Sequence, residues 1–113
     1  MTPGNFIGTL FQSRDAMHIA HLQTTSYAEH KALGAYYDGI LDLTDKFSEV
    51  YFGRMKRVEI VIPESKNTSA VEHLKGLQST IDSERNNYPS ELQNIMDEML
   101  ALVDKTLYLL TLV

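Results

Sequence analysis

The sequence predicts an all-α protein, a four-helix bundle in which residues 1–113 form a single domain. Proline and glycine are scarce, at three and six residues. Helix-capping signals divide the chain into four segments. Within these segments the apolar residues recur close to every 3.6 positions, the period of a helix with one buried face. The length suits one domain, and two helix pairs joined by a longer connector favour a bundle.

The first two helices are predicted at about residues 4–25 and 27–54. Thr2 precedes a proline, and together they form an N-cap followed by a first-turn proline. Ser26 and Glu29 have the spacing of a capping box. The apolar stripe of the second helix consists of Leu33, Tyr36, Ile40, Leu43, Phe47 and Val50.

The other two helices are predicted at about residues 69–86 and 89–112. Before them, residues 58–62 read Val-Glu-Ile-Val-Ile and stop at Pro63. We expect this segment to be an extended apolar connector packed over a helix, followed by a polar loop at 64–68.

Composition excludes several classes of site. The chain has no cysteine, so disulfides, zinc–thiolate sites and iron–sulfur clusters are excluded, and a reducing compartment such as the cytoplasm is expected. The first residues lack a basic region followed by an apolar run, and no stretch approaches about 18 apolar residues, so neither a signal peptide nor a membrane span is expected. The sequence also contains no recognisable nucleophile elbow with a serine and no phosphate-binding loop.

The charge distribution argues against strong nucleic-acid binding. The net charge is -5, and it is carried by the second half of the chain. The residues before Phe6 include no lysine or arginine. Residues 54–57 form the one basic cluster. It is small, and we interpret it as a solvated helix end. Because affinity for DNA comes mostly from phosphate neutralisation, we expect weak binding to duplex DNA at most.

Histidines and carboxylates in the first half of the chain form the candidate site. If the second helix is continuous, His30, Asp45 and Glu49 fall within about 100° of one another on one face. His18 and His21, three residues apart, share a face of the preceding helix. Imidazoles and carboxylates converging between helices are ligands for a transition metal, so these five residues are candidate metal ligands.

A structural interpretation competes with this one. Asp38 and Asp42 extend the acidic face of the second helix, and carboxylates at helical spacing are commonly a solvated surface. A histidine on an apolar stripe is commonly a core residue with satisfied hydrogen bonds, and we interpret His73 in that way.

The stretch from His18 to Gly53 resembles the first helix pair of the Dps-type mini-ferritins. That family has a histidine late in its first helix and another at the start of the second. An aspartate follows fifteen residues later and a glutamate four after that. His30, Asp45 and Glu49 match these spacings, and the Tyr37-Asp38 pair is similar to the family's sequence in the middle of helix two.

The resemblance implies a ferritin-like bundle, as a distant, short member of that family, phage-encoded or bacterial. Members assemble into shells and oxidise ferrous iron at dimer interfaces, where one subunit supplies the histidines and its neighbour the carboxylates. Carried over, His30, Asp45 and Glu49 are ligands, and either His21 or His18 is the fourth.

Two functions follow as hypotheses. The first is a small ferritin-like protein that binds iron or another divalent metal, with ferroxidase-type oxidation of Fe(II) if the site is redox-active. The second is a helical homo-oligomer that binds a protein or small molecule without redox chemistry. In both cases the expected location is the cytoplasm, or the host cytoplasm if the protein is phage-encoded.

The C-terminal segment predicts self-association. Residues 107–113 are apolar nearly all round a helix, so one bundle face cannot cover them. We therefore expect at least a dimer, with the end of the last helix packed against another chain or a neighbouring helix pair, and with Asp45 and Glu49 near a second contact. The alternative is that residues 58–62 fold back and cover this segment within one monomer.

Overall fold

The computed structural model describes all of residues 1–113 and contains four α-helices and no β-strand. The predicted all-α class and the number of helices are confirmed, with each boundary within about two residues of its expected place. None of the helices combines the length and hydropathy needed to span a bilayer. The elements are α1 (Pro3–Gln23), α2 (Tyr27–Arg54), α3 (Ala70–Glu84), a 3₁₀ turn (Arg85–Asn87) and α4 (Ser90–Leu110).

Side-chain caps start three of the four helices. The hydroxyl oxygens of Thr2, Ser26 and Ser69 each accept a hydrogen bond from the backbone N–H three residues later, at 3.1, 3.2 and 3.1 Å. These bonds satisfy N–H groups that have no partner inside the helix. The fourth helix begins differently, because its N-cap residue is Pro89 and no side chain caps it.

The helices pack in a ring of neighbours: α1 on α2, α2 on α4, α4 on α3 and α3 on α1. Arg54 at the end of α2 donates to Glu91 at the start of α4, at 2.9 Å, so these two helices are antiparallel. The connector, residues 55–69, runs back along α1 and starts α3 at the opposite end of the molecule. As a result α2 and α3 run parallel, the connectivity of a bundle with one long crossover.

The core is a single cluster of buried apolar residues contributed by all four helices. An aromatic group fills the end near the start of α1, where Phe47 meets Phe6 and Tyr88 edge-on with ring centroids 5.2 and 5.3 Å apart. Burial, the largest cause, acts together with the nearby Glu84 and Tyr51 to raise the pKa of Tyr88 to about 12. Edge-to-face pairs of this kind stabilise a core beyond the area they bury.

The connector approaches the backbone of α1 at two glycines. A Cβ atom at Gly4 would collide with the Glu59 carbonyl, and one at Gly8 with the Val61 carbonyl. The Val61 N–H donates to the Gly4 carbonyl at 3.2 Å. From Gly4 to Gly8, about one turn, α1 rises about 6 Å, and the connector covers the same distance in the two residues from Glu59 to Val61. Two residues span that distance only in a nearly fully extended chain, so the segment 58–62 is extended. The prediction of an extended segment packed over a helix is confirmed.

The C-terminal segment, residues 107–113, is divided between core and surface. Leu110 is buried, whereas Tyr108, Leu112 and Val113 are each about 60% exposed. The alternative in which the connector covers this segment is wrong, because residues 58–62 lie against the start of α1 at the other end of the bundle. The start of α3 lies beside Leu110 instead.

We predict that Gly8→Ala destabilises the protein by about 1–3 kcal/mol, because the new methyl group must displace the connector backbone. Denaturant unfolding measures the change. Gly76→Ala is the matched control, since no atom lies within 4 Å of a Cβ at that helical position. There the better helix propensity of alanine should stabilise the fold by about 0.5–1 kcal/mol. Equal effects at the two sites would contradict the close approach.

Candidate functional site

Three of the five candidate ligands lie together where α1 turns into α2. His18, His21 and His30 form what we term the histidine cluster, with His18 and His21 on α1 and His30 on α2. All three side chains are half-buried. His21 and His30 each lie four residues from the Thr25–Ser26 step at the centre of the turn, so the hairpin places them opposite one another.

His21 and His30 join α1 to α2 by stacking and by two reciprocal hydrogen bonds. Their rings stack with centroids 3.7 Å apart and planes inclined by 16°. The Nδ1 atom of His21 bonds the His30 carbonyl at 2.5 Å, and Nδ1 of His30 bonds the His21 carbonyl at 2.7 Å. Because a carbonyl oxygen only accepts, each Nδ1 carries a proton. In the neutral ring this leaves the lone pair on Nε2. The tautomer that is protonated on Nδ1 is found in many metal-bound histidines.

The third histidine stacks on an aromatic ring. His18 lies flat against Tyr37 of α2 with centroids 4.0 Å apart and planes inclined by 13°. The Arg14 guanidinium lies over the same Tyr37 ring, 5.3 Å from its centroid, in a cation–π contact. Gly34 leaves room for His21, since a Cβ there would lie 3.0 Å from the imidazole. These contacts fix the rings by packing.

The two carboxylates lie elsewhere. Asp45 and Glu49 are exposed on α2, and the helical rise places them about 22 and 28 Å along the axis from His30. No group of three or more histidine, aspartate or glutamate side chains in the chain is arranged to hold a metal ion. A single chain therefore does not bring the five candidate ligands together.

The cluster by itself is also poorly shaped for chelation. The Nε2 lone pair lies in the plane of each ring, and the His21 and His30 planes are nearly parallel. Two lone pairs in stacked planes do not converge on one point at the bond length of about 2.0–2.1 Å that a metal–imidazole bond requires. Chelation by both rings would need one of them to turn out of the stack.

A buried polar chain links α1, α2 and α3. The Ser13 hydroxyl lies 2.7 Å from the Tyr36 hydroxyl and 2.8 Å from Nε2 of His73. Ser13 and Tyr36 are fully buried. Burial raises the pKa of Tyr36 far above its usual value, partly offset by its bond to Ser13. Burial also lowers the pKa of His73. Because the Ser13 and Tyr36 hydroxyls are closed off from solvent, the Tyr36–Ser13–His73 network is a core network with satisfied hydrogen bonds. This is the structural role expected for His73.

Sequence reasoning missed two of these features. The Tyr37 stack and the Ser13–Tyr36 bond both follow from folding the hairpin about its turn. The signal was available, because residues at similar distances before and after Ser26 must face each other in two antiparallel helices.

The fold and the site define an all-helical protein whose first helix pair is clasped by stacked imidazoles. The chain belongs to a family of unknown function, DUF5856, whose model matches residues 21–110. It is 28% identical over 110 residues to an uncharacterised 14.6 kDa protein encoded in the mobD–ri intergenic region of Enterobacteria phage T4. That match covers 95% of this chain and 86% of the phage protein. No solved structure matches the sequence.

The assignment to the Dps-type mini-ferritins, which the resemblance implied, is wrong. The family that matches is DUF5856, and its model spans most of the stretch on which the resemblance depended. The physical reason lies in the three matching residues. Spacings of fifteen and four place side chains on one face of any helix, and an exposed acidic face such as that of Asp45 and Glu49 reproduces them without a shared site.

We predict that His73→Gln lowers the free energy of unfolding by about 1 kcal/mol at pH 7.5, through the weakened bond to Ser13. Because burial lowers the pKa of His73, the unfolded chain binds its proton more tightly, and the stability from the neutral ring is lost as pH falls below about 6.5. The difference in the free energy of unfolding between wild type and variant should therefore be smaller at pH 5.5 than at pH 7.5. Denaturant titrations at the two pH values measure it, and a constant difference would contradict the assignment.

Proposed function

We propose that this protein is a self-associating helical interaction protein without redox chemistry. The observation that supports it is the concentration of exposed apolar side chains at one end of the bundle. There the α1–α2 turn, the start of α3 and the end of α4 meet. We term this surface the apolar end; it consists of Leu22, Tyr27, Val71, Tyr108, Leu112 and Val113.

Two shallow depressions connect part of the apolar end to the neighbouring helices. Leu112 and Leu109 line a shallow depression with Ala28 at the start of α2. Val113 lines a second depression with Val71 at the start of α3. Exposed apolar surface of this kind marks interaction sites in small proteins. Burying a side chain such as Leu112 is worth about 1.5–3 kcal/mol, so a few of them support association.

A second copy of the chain is the partner that we propose for this end. A two-fold contact would place each exposed leucine and tyrosine against the same surface of its neighbour. The relative encoded by a bacteriophage supports a site of action in the cytoplasm of an infected bacterium, in line with the lack of cysteine.

We predict that Leu112→Asp combined with Val113→Asp reduces the mass of the assembly to half or less. Two carboxylates in the contact would lose their hydration without gaining a partner. Light scattering at micromolar concentration measures the mass. Both positions are exposed, so the fold should survive. Leu110 is unsuitable for this test because it belongs to the core.

The matched control is Ser90→Asp combined with Ala101→Asp. These residues are also exposed on α4 but lie away from the apolar end, and the change adds the same charge. The control should keep the wild-type mass. If the Leu112/Val113 variant is folded, as judged by circular dichroism, and keeps the wild-type mass, the apolar end is not the contact.

Binding of iron or another divalent metal at the histidine cluster is a second candidate function. One observation favours it: His21 and His30 both donate their Nδ1–H to carbonyls, which leaves Nε2 available as a donor to a metal. A complete site would require a ring to turn out of the stack and further ligands, and Asp45 and Glu49 of another copy are suitable donors. The proposal covers binding and does not extend to oxidation.

We predict that His30→Gln weakens binding of Zn²⁺ or Fe²⁺ at least about tenfold, and that wild-type affinity is lower at acidic than at neutral pH, because protons compete with a metal for its ligand atoms. Calorimetric titration measures both. His73→Gln is the control, since that ring lies outside the cluster, and it should bind metal like the wild type. Elemental analysis with no bound metal and flat titrations would reject the candidate.

A further inference from the structure

The connector presents an unpaired edge of extended backbone on the surface of the bundle. Residues 59–62 are exposed, including the apolar side chains of Ile60, Val61 and Ile62. Within 58–62 the one backbone hydrogen bond runs from the Val61 N–H to Gly4. The other backbone N–H and carbonyl groups of this segment have no backbone partner in the chain. Open edges of this kind are templates for pairing with another strand.

The edge faces away from the bundle. The Glu59 carbonyl and both backbone groups of Val61 are directed at the glycines of α1. Backbone groups of successive residues in an extended chain point to opposite sides. The N–H and carbonyl groups of Val58, Ile60 and Ile62 are therefore directed outward.

We propose that this edge pairs antiparallel with the same segment of a second copy of the chain, centred on Ile60. Ile60 would then lie opposite its own equivalent, and Val58 opposite Ile62 of the other copy. All three outward-facing residues find an outward-facing partner in this register, which forms about six hydrogen bonds. The result is a two-stranded ribbon between two α1 helices, a contact independent of the apolar end.

Charges at the ends of the segment favour this register. Centred on Ile60, the pairing places Lys56 of each copy opposite Glu64 of the other, which gives two ion pairs across the contact. Within one chain neither of these residues is in an ion pair. Moving the register on by two residues would set Lys56 against Lys66, two like charges.

The proline at the end of the segment is compatible with the pairing. Pro63 has no N–H, and the next carbonyl, that of Glu64, accepts a hydrogen bond from the Gln12 side chain of α1, so the outward-facing edge ends at Ile62 and the ribbon loses no hydrogen bond at the proline. A proline at this place also ends the edge, which limits pairing to a short segment. Of the three outward-facing positions, Ile60 is the one at the centre, where a missing N–H would interrupt the ribbon.

The test uses protein in which the apolar end is blocked by Leu112→Asp and Val113→Asp. We expect this protein to remain a dimer in sedimentation equilibrium, and adding Ile60→Pro should yield a monomer. Ser65→Pro in the same background is the matched control, since Ser65 is also exposed and lies beyond the ribbon; it should remain dimeric. A monomer before Ile60→Pro is added would overturn the proposal but leave the apolar end supported.

A charge exchange tests the register without altering the backbone. Lys56→Glu in the blocked protein should weaken the dimer about tenfold, because the new carboxylate of each copy then lies opposite Glu64 of the other. Adding Glu64→Lys should restore the original affinity, since each ion pair is then reversed. Failure of the second change to restore affinity would overturn the register, and a dimer unaffected by Ile60→Pro would overturn the ribbon itself.

Discussion

The arrangement of this bundle depends on the contact between two backbones, that of the connector and that of α1. Gly4 and Gly8 lack the side chains that would hold the connector away, so residues 58–62 lie directly on the helix. From there the chain runs the length of α1, and α3 begins at the far end, parallel to α2. The same contact uses one edge of the extended segment and leaves its other edge open.

The first helix pair is held by polar groups as well as by apolar packing. His21 and His30 satisfy each other's carbonyls and stack in a half-buried position. Deeper in the bundle, Ser13 joins Tyr36 to His73. Buried polar groups that are fully paired fix one arrangement of helices among several that apolar packing alone would allow. Histidines in this protein therefore have a structural use whether or not a metal binds.

The mistaken family assignment has a physical explanation. A helix repeats its faces every few residues, so one histidine and two carboxylates at helical spacing recur in unrelated proteins. What distinguishes a shared metal site is the convergence of donor atoms, and here Asp45 and Glu49 are exposed far along α2 from His30. The DUF5856 model, which matches residues 21–110, places the chain in a different family.

The sequence by itself determined the helices. Thr2, Ser26 and Ser69 fix three of the starting points through local hydrogen bonds, and apolar periodicity sets which face is buried, because both depend on residues close in the chain. Only the tertiary structure decided that His21 and His30 bond each other and that Gly4 and Gly8 receive the connector. It also decided that Leu110 is core while Leu112 is surface. These outcomes depend on which residues meet across helices, and no local pattern encodes those distances.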